Sequence, residues 1–241
     1  MAYQEEDADN RVWATKLTAN DSIAKEVIGS IRKLVDGRVF RYVKMTGAAL
    51  AQGKLVRPAA VTAITNLTSA TGTGPDGATT TIITDADGAM TTDAYVGYYF
   101  QVATGGTGST EAIKIVANTA TTLTLEKSIG TALAAGGTDD GEIIPPKGVV
   151  RLTAVTTPSQ NTAGVGIGTI TENYFGWVQK EGQGNVICSS AVTEGYPITP
   201  GGASVTGQAM VGTSAATDEI IGFVRAAAGT NEMAMVDLCI A

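Results

Sequence analysis

Gly37-Arg38-Val39-Phe40-Arg41-Tyr42-Val43-Lys44-Met45 is where the chain changes period. From Val39 to Met45 the side chains alternate with a period of two, the signature of a strand. Gly47 then turns the chain toward Leu50 and the short run Gly53-Lys54-Leu55-Val56. A related pattern returns late. Tyr174-Phe175-Gly176-Trp177-Val178-Gln179-Lys180 is followed by an expected turn at Gly182 and Gly184, then Val186-Ile187-Cys188 and Glu194-Gly195-Tyr196-Pro197-Ile198. A third variant runs Ile220 to Arg225, turns at Gly229-Thr230-Asn231, and continues from Met233 to Ile240. Three such hairpins predict a small closed barrel or sandwich in which they cover one another's edges.

Between the first hairpin and the other two lies a block of different composition, Asn66 to Pro146. Turn-rich flanks bound it, Thr71 to Gly77 and Gly136 to Gly141. Inside are four expected strands: Thr81-Ile82-Ile83, Val96 to Val102, Ala112 to Val116 and Thr121 to Glu126. Short Gly, Thr and Asn turns between them predict a β-meander inserted in a barrel loop. The expected organisation is an N-terminal arm over 1–36, a discontinuous barrel over 37–65 and 147–241, and an inserted β-rich domain over 66–146.

Before Gly37 the pattern is helical. Ile23, Val27, Ile28, Ile31, Leu34 and Val35 recur at spacings of three and four, which predicts a helix over Asp21–Asp36. Asn20, Asp21 or Ser22 would cap it, and Asp36-Gly37 would stop it. Ile23, Val27, Ile31 and Leu34 form its apolar stripe, which either packs on the chain's own domain or docks on a neighbouring subunit.

Composition agrees with an all-β chain. The 241 residues are 44% hydrophobic but only 16% charged, with 30 glycines and 5% aromatic residues. Thr, Gly and Ala take the place of charge, which suits short strands and tight turns. The net charge of −7 and the lack of a Lys/Arg-rich stretch speak against a nucleic-acid partner. No apolar run is long enough to cross a bilayer as a helix, and the acidic start MAYQEEDADN is unlike a signal peptide.

The chain has no histidine. That removes the Ser-His-Asp triad, the Cys-His dyad and His-ligated metals, and leaves carboxylate-only chemistry such as glycoside hydrolysis. Glu172, Glu181, Glu194, Asp218 and Glu219 are the carboxylates that could supply it. Cys188 and Cys239 are too few and too far apart for a disulfide framework or a zinc knuckle. Both are expected as small buried apolar residues, with a Cys188–Cys239 bridge as the alternative. Asp85-Ala86-Asp87-Gly88, with Asp93 nearby, has part of a calcium-loop pattern but lacks its closing Glu, so a turn is expected there and at Asp139-Asp140-Gly141. Gly164-Val165-Gly166-Ile167-Gly168 is not followed by a helix pattern, so it reads as a Gly-rich strand edge and not a phosphate cradle. No metal or cofactor is expected.

Two sets of residues resemble parts of tailed-bacteriophage structural proteins. Gly37 to Tyr42 leading to Gly53 to Val56, with Gly176-Trp177-Val178-Gln179 and Gly195 to Ile198, resembles the small β-barrel of capsid decoration (cement) proteins. The Gly97-Tyr98-Tyr99 strand, the turn Gly105 to Gly108, an Ile-rich strand and Asn118 to Leu125 are similar to a module of phage virion proteins. The Ile-rich strand departs from that pattern, carrying Glu111-Ala112-Ile113-Lys114 where an Arg is usual. The resemblance implies a homo-oligomer, often a trimer, bound to the major capsid protein on the outer surface of an assembled head and made in the host bacterial cytoplasm. A head fibre or receptor-binding tail module contacting a host glycan is the alternative within that setting. A carboxylate-dependent polysaccharide-degrading enzyme is the third.

The last strand supplies candidate interface residues. Ala234, Val236, Leu238 and Ile240 alternate with Met233, Met235, Asp237 and Cys239. One face suffices for a core, so apolar character on both predicts that Met233, Met235 and Cys239 meet the insert or another subunit.

Overall fold

The computed structural model describes residues 14–73, 79–88, 90–103, 111–130, 132–133, 139–153, 161–201, 206–212 and 219–240. The first residues of the expected arm, the turn at 105–108, residues 74–77 and 136–138 of the expected turn-rich flanks and Asp218 lie outside them. Among the described residues there is no helix; the chain is all-β. Sixteen strands follow one another: β1 (Ile31–Lys33), β2 (Val39–Met45), β3 (Leu55–Pro58), β4 (Thr62–Thr73), β5 (Thr79–Asp85), β6 (Tyr99–Val102), β7 (Ile113–Asn118), β8 (Thr122–Leu125), β9 (Asp139–Ile144), β10 (Val149–Leu152), β11 (Gly164–Gly166), β12 (Phe175–Ile187), β13 (Pro197–Pro200), β14 (Ala209–Val211), β15 (Gly222–Ala226) and β16 (Met233–Cys239). They fall into two compact units, Ala60–Pro146 and the two flanking segments together.

In the flanking unit ten strands form one sheet in the order β1-β2-β10-β3-β11-β12-β16-β15-β13-β14. An additional antiparallel pairing of β2 with β12 brings the first part back on itself, so β2, β10, β3, β11 and β12 make a ring. Its interior holds Val43, Met45, Leu50, Val56, Val150 and Val178. β12 continues past this ring and pairs with β16 from Glu181 to Ile187. A parallel bridge between Cys188 and Ala209 sets β14 against the end of β12. Val186, Cys188, Ile198, Val224, Ala234, Val236 and Ile240 fill the space enclosed there. The expected hairpin turn at Gly182 and Gly184 does not occur, and β12 runs through it as one strand of 13 residues. A register shift lies between Gln179 and Glu181. The Gln179 side-chain amide spans it, donating to the carbonyls of Glu181 (3.0 Å) and Gln183 (2.7 Å), so the backbone stays extended.

The expected helix over Asp21–Asp36 is replaced by turns and the short strand β1. Gly29 explains part of this. It has φ +92°, and a Cβ there would stand 2.9 Å from the Lys147 carbonyl oxygen. A mid-helix glycine already costs about 1 kcal/mol against alanine, and the surrounding Ile and Val residues favour strand. Pairing with β2 takes over: Gly29 N–H donates to the Tyr42 carbonyl and Tyr42 N–H to the Ser30 carbonyl. Leu17 and Leu34 then bury against Phe40, Tyr42 and Trp177, so the segment covers the outer side of β2 and β12. The Asp21 carboxylate accepts from Thr15 Oγ1 (2.7 Å) and from the Tyr42 hydroxyl (3.2 Å), tying this cover to β2.

Residues 60–146 form a closed six-stranded barrel in the order β4-β5-β8-β7-β6-β9. This is not a simple meander: β4 and β9 are additional strands, and β5 and β6 are not neighbours. Phe100, Ile83, Ile113, Ile115, Leu123, Leu125, Leu67 and Ile143 fill its core. Asp139-Asp140-Gly141, expected as a turn, is instead the start of β9, with Asp139 opposite Leu67. The Asn118 to Leu125 motif has a local cause. Asn118 is buried and accepts from Tyr95 N–H (2.9 Å) while donating to the Thr91 carbonyl (2.8 Å), which pins the loop before β6. Thr119 Oγ1 accepts from the N–H groups of Thr121 and Thr122 and closes the turn, after which Leu123 and Leu125 point inward.

Candidate functional site

The β15–β16 hairpin has two unlike faces. Val224, Ala234, Val236, Leu238 and Ile240 are buried in the core, as their alternation requires. On the opposite face Met233 and Met235 remain 46% and 44% exposed, and Phe223 on β15 is 48% exposed. The registers join them into one surface. Met235 lies between Ala226 of β15 and Asn185 of β12, Met233 faces Ile187, and Phe223 lies between Asp237 of β16 and Pro197 of β13. Exposed Ile220 and Tyr196 flank β15 and β13. An ion pair between Arg225 Nε and Asp237 Oδ2 at 2.5 Å adds a charged group to the same face. Apolar side chains with a charged margin are the composition of protein–protein contact surfaces, and methionine adapts to an uneven partner.

The other sequence-predicted interface residues do not join this face as one stripe. Ile23 and Val27 stand 70% and 76% exposed on the turns before β1, and Ile31 is exposed in β1 opposite Arg41. Leu34 is buried with Leu17 and Trp177. With the helix absent, a spacing of three and four no longer puts these side chains on one side.

The two cysteines are free. Cys188 is buried, and burial pushes its thiol pKa up to about 11. Cys239 is exposed at the end of β16 opposite Glu181, which corrects the expectation that it is buried. Partial burial and then the Glu181 charge raise its pKa, so neither thiol is activated as a nucleophile.

The candidate carboxylates are spread over separate elements. Glu172 sits in the turn before β12, Glu181 in β12 and Glu194 in the turn before β13. Glu219 straps the chain ahead of β11: both its carboxylate oxygens accept from Thr162 N–H at 2.9 Å, and Oε2 also accepts from Thr162 Oγ1 at 3.0 Å. Burial raises its pKa although these bonds oppose the rise. Asp85 closes the expected turn, with Oδ1 accepting from Asp87 N–H at 3.1 Å. Asn66 Nδ2 donates to Asp87 Oδ2. Among the described residues no cluster of three or more His, Cys, Asp or Glu groups could hold a metal ion. Gly164-Val165-Gly166 is the strand β11, but it is interior, paired on both sides with β3 and β12.

One cavity of about 240 Å³ opens beside β2 and β12, lined by Leu17, Arg38, Gln52, Gln179, Gln183 and Asn185 among others. Gln179 is committed to the backbone of β12, and Arg38 is paired with Asp36 at 2.7 Å. The cavity offers amide hydrogen bonding, not a proton-transfer pair. Signals for the apolar face were legible in the alternation of 233–240; Phe223 was missed because its partner strands are set by register, which sequence spacing does not reveal. No protein-family model, curated protein or solved structure matches the chain.

Proposed function

We propose that this chain is a non-enzymatic structural protein of a phage particle, a decoration protein that binds the outer surface of the assembled head as a homo-oligomer, by preference a trimer. The observation that carries the reading is the outer face of β15 and β16, where Phe223, Met233 and Met235 are half exposed behind a filled core. Such a face needs another protein surface, and adhesion is the work a cement protein does. The short aromatic and Gly-rich stretches of the sequence support the same setting: Tyr42 and Trp177 are direct cross-strand partners of β2 and β12. A protein that binds only the assembled lattice stabilises it by its own binding free energy. No chemistry is required of the carboxylates or thiols.

Electron microscopy of virions from the encoding genome, labelled with antibody against this chain, tests the reading. Label over the whole head is expected. Label confined to one vertex would favour a head fibre or tail module, and unlabelled particles would refute a place in the virion.

A further inference from the structure

Arg57 of β3 and Arg151 of β10 are direct antiparallel partners. Their side chains therefore leave the same face of the sheet, with Cβ atoms about 5 Å apart. Like charges in that position repel. Val150 of the same ladder is registered with Met45, and both point into the ring's core, so Arg57 and Arg151 lie on its opposite side, where Lys44 also lies. Three cations thus share one face across β2, β10 and β3.

Among the described residues neither arginine side chain makes a hydrogen bond or an ion pair, and the Nε atom of each is buried without an acceptor. Both residues are half-buried. Burial, and then the Arg151 charge, lower the pKa of Arg57. Burial also lowers that of Lys44. A buried guanidinium nitrogen without an acceptor is costly, and two side by side are more so. Two other arginines find internal acids, Arg38 in Asp36 and Arg225 in Asp237. Among the described residues this pair has no such acid, which leaves the two Nε positions open to an acceptor from a partner.

We propose that Arg57 and Arg151 form a receptor for a carboxylate presented by an acidic side chain of a partner protein. Two planar forks on adjacent strands match the two oxygens and four lone-pair sites of one carboxylate. Three cations on one face do not form the continuous basic track that a nucleic-acid backbone needs, and the chain's net charge of −7 opposes that partner. The choice of a protein partner rests on the adhesion reading above, whereas the test does not.

The test is thermal unfolding of the free protein in sodium acetate or succinate against sodium chloride at equal ionic strength. The carboxylate salts should raise Tm above the chloride value, by about 3 °C at ten times the dissociation constant. Arg57→Gln and Arg151→Gln should each abolish that rise while melting no lower than wild type in chloride; if one fails to fold, the other carries the test. Equal Tm values in carboxylate and chloride would overturn the proposal, as would a rise that survives the substitutions. A fall of several degrees for the variants in chloride would mean that the pair has an internal role instead. Sulfate or phosphate outperforming succinate, with the effect lost in the variants, would replace the carboxylate by a tetrahedral oxyanion. Because no head is present in this measurement, its failure is distinct from a failure of virion labelling.

Discussion

Replacing Leu34 by alanine separates two roles for the N-terminal segment. Had residues 21–36 formed a docking helix, Leu34 would belong to its exposed stripe and the substitution would spare stability. In the structure Leu34 is 4% exposed and packed with Leu17, Phe40, Tyr42 and Trp177. Truncating a buried leucine removes its transfer free energy and leaves a cavity, a cost of about 2–5 kcal/mol. For a unit of about 150 residues, each kcal/mol lowers Tm by roughly 2–4 °C, so a mid-range loss of ~3 kcal/mol predicts a fall of about 6–12 °C. Val27→Ala is the control: Val27 is exposed on a turn, and such substitutions change stability by about 0.5 kcal/mol or less. Tryptophan fluorescence is the assay, because Trp177 sits in the same cluster as Leu34. A Leu34→Ala melting curve superimposable on that of Val27→Ala would refute the packing argument.

Light scattering should give a mass above the single-chain 24.5 kDa, and Met235→Asp should lower it by placing a charge in the proposed contact; a wild-type monomer would refute self-association through this face. Gly141→Ala should destabilise the 60–146 barrel, because the added Cβ would lie 2.5 Å from Phe100 Cε2 and 2.9 Å from Leu67 Cδ1; chemical denaturation should register about 1–3 kcal/mol, and no loss would mean that Phe100 has room to move. Stability should fall as pH rises from about 10 toward 12. Burial raises Tyr42 and Tyr98 to about 12, so the folded state holds protons that the unfolded state releases above pH 10. Tyr42→Phe should flatten the alkaline limb of a Tm-against-pH curve, and an unchanged slope would exclude Tyr42 as a source.

The all-β class was legible because the period-two alternation of 233–239 survives into β16 and the apolar runs at 39–45 and 222–226 became β2 and β15, β2 with both faces covered. Other elements were hidden for separate physical reasons. β4 is rich in Thr, Ala, Ser and Gly, and its pairing with β5 and β9 owes more to register than to hydrophobicity. β9 begins with Asp-Asp-Gly, whose local preference is a turn; closure of the barrel between β4 and β6 overrides it. The false helix arose because Leu17, Leu34 and the residues between them serve a surface made by β2 and β12, more than a hundred positions apart in the chain. Part of the apolar face was visible in Met233 and Met235. The arginine pair was not, since Arg57 and Arg151 meet only through the β3–β10 register.

The exposure of that apolar face follows from geometry that the chain cannot relax. β12 is held on one edge by β2 and on the other by β11 and, further along, by β16, so its position is fixed by both parts of the sheet. β16 pairs with it through seven consecutive residues. Shifting β16 by one residue would bring Met233 and Met235 inward but would turn Ala234, Val236, Leu238 and Ile240 out of the core. Burying two methionines would therefore expose four residues that now pack with Val186, Val224 and Ile198. A side-chain rotation cannot cover the face either, because Phe223 and the methionines project from neighbouring strands of one sheet face. Within the described sheet, then, neither register nor rotamer removes them from water.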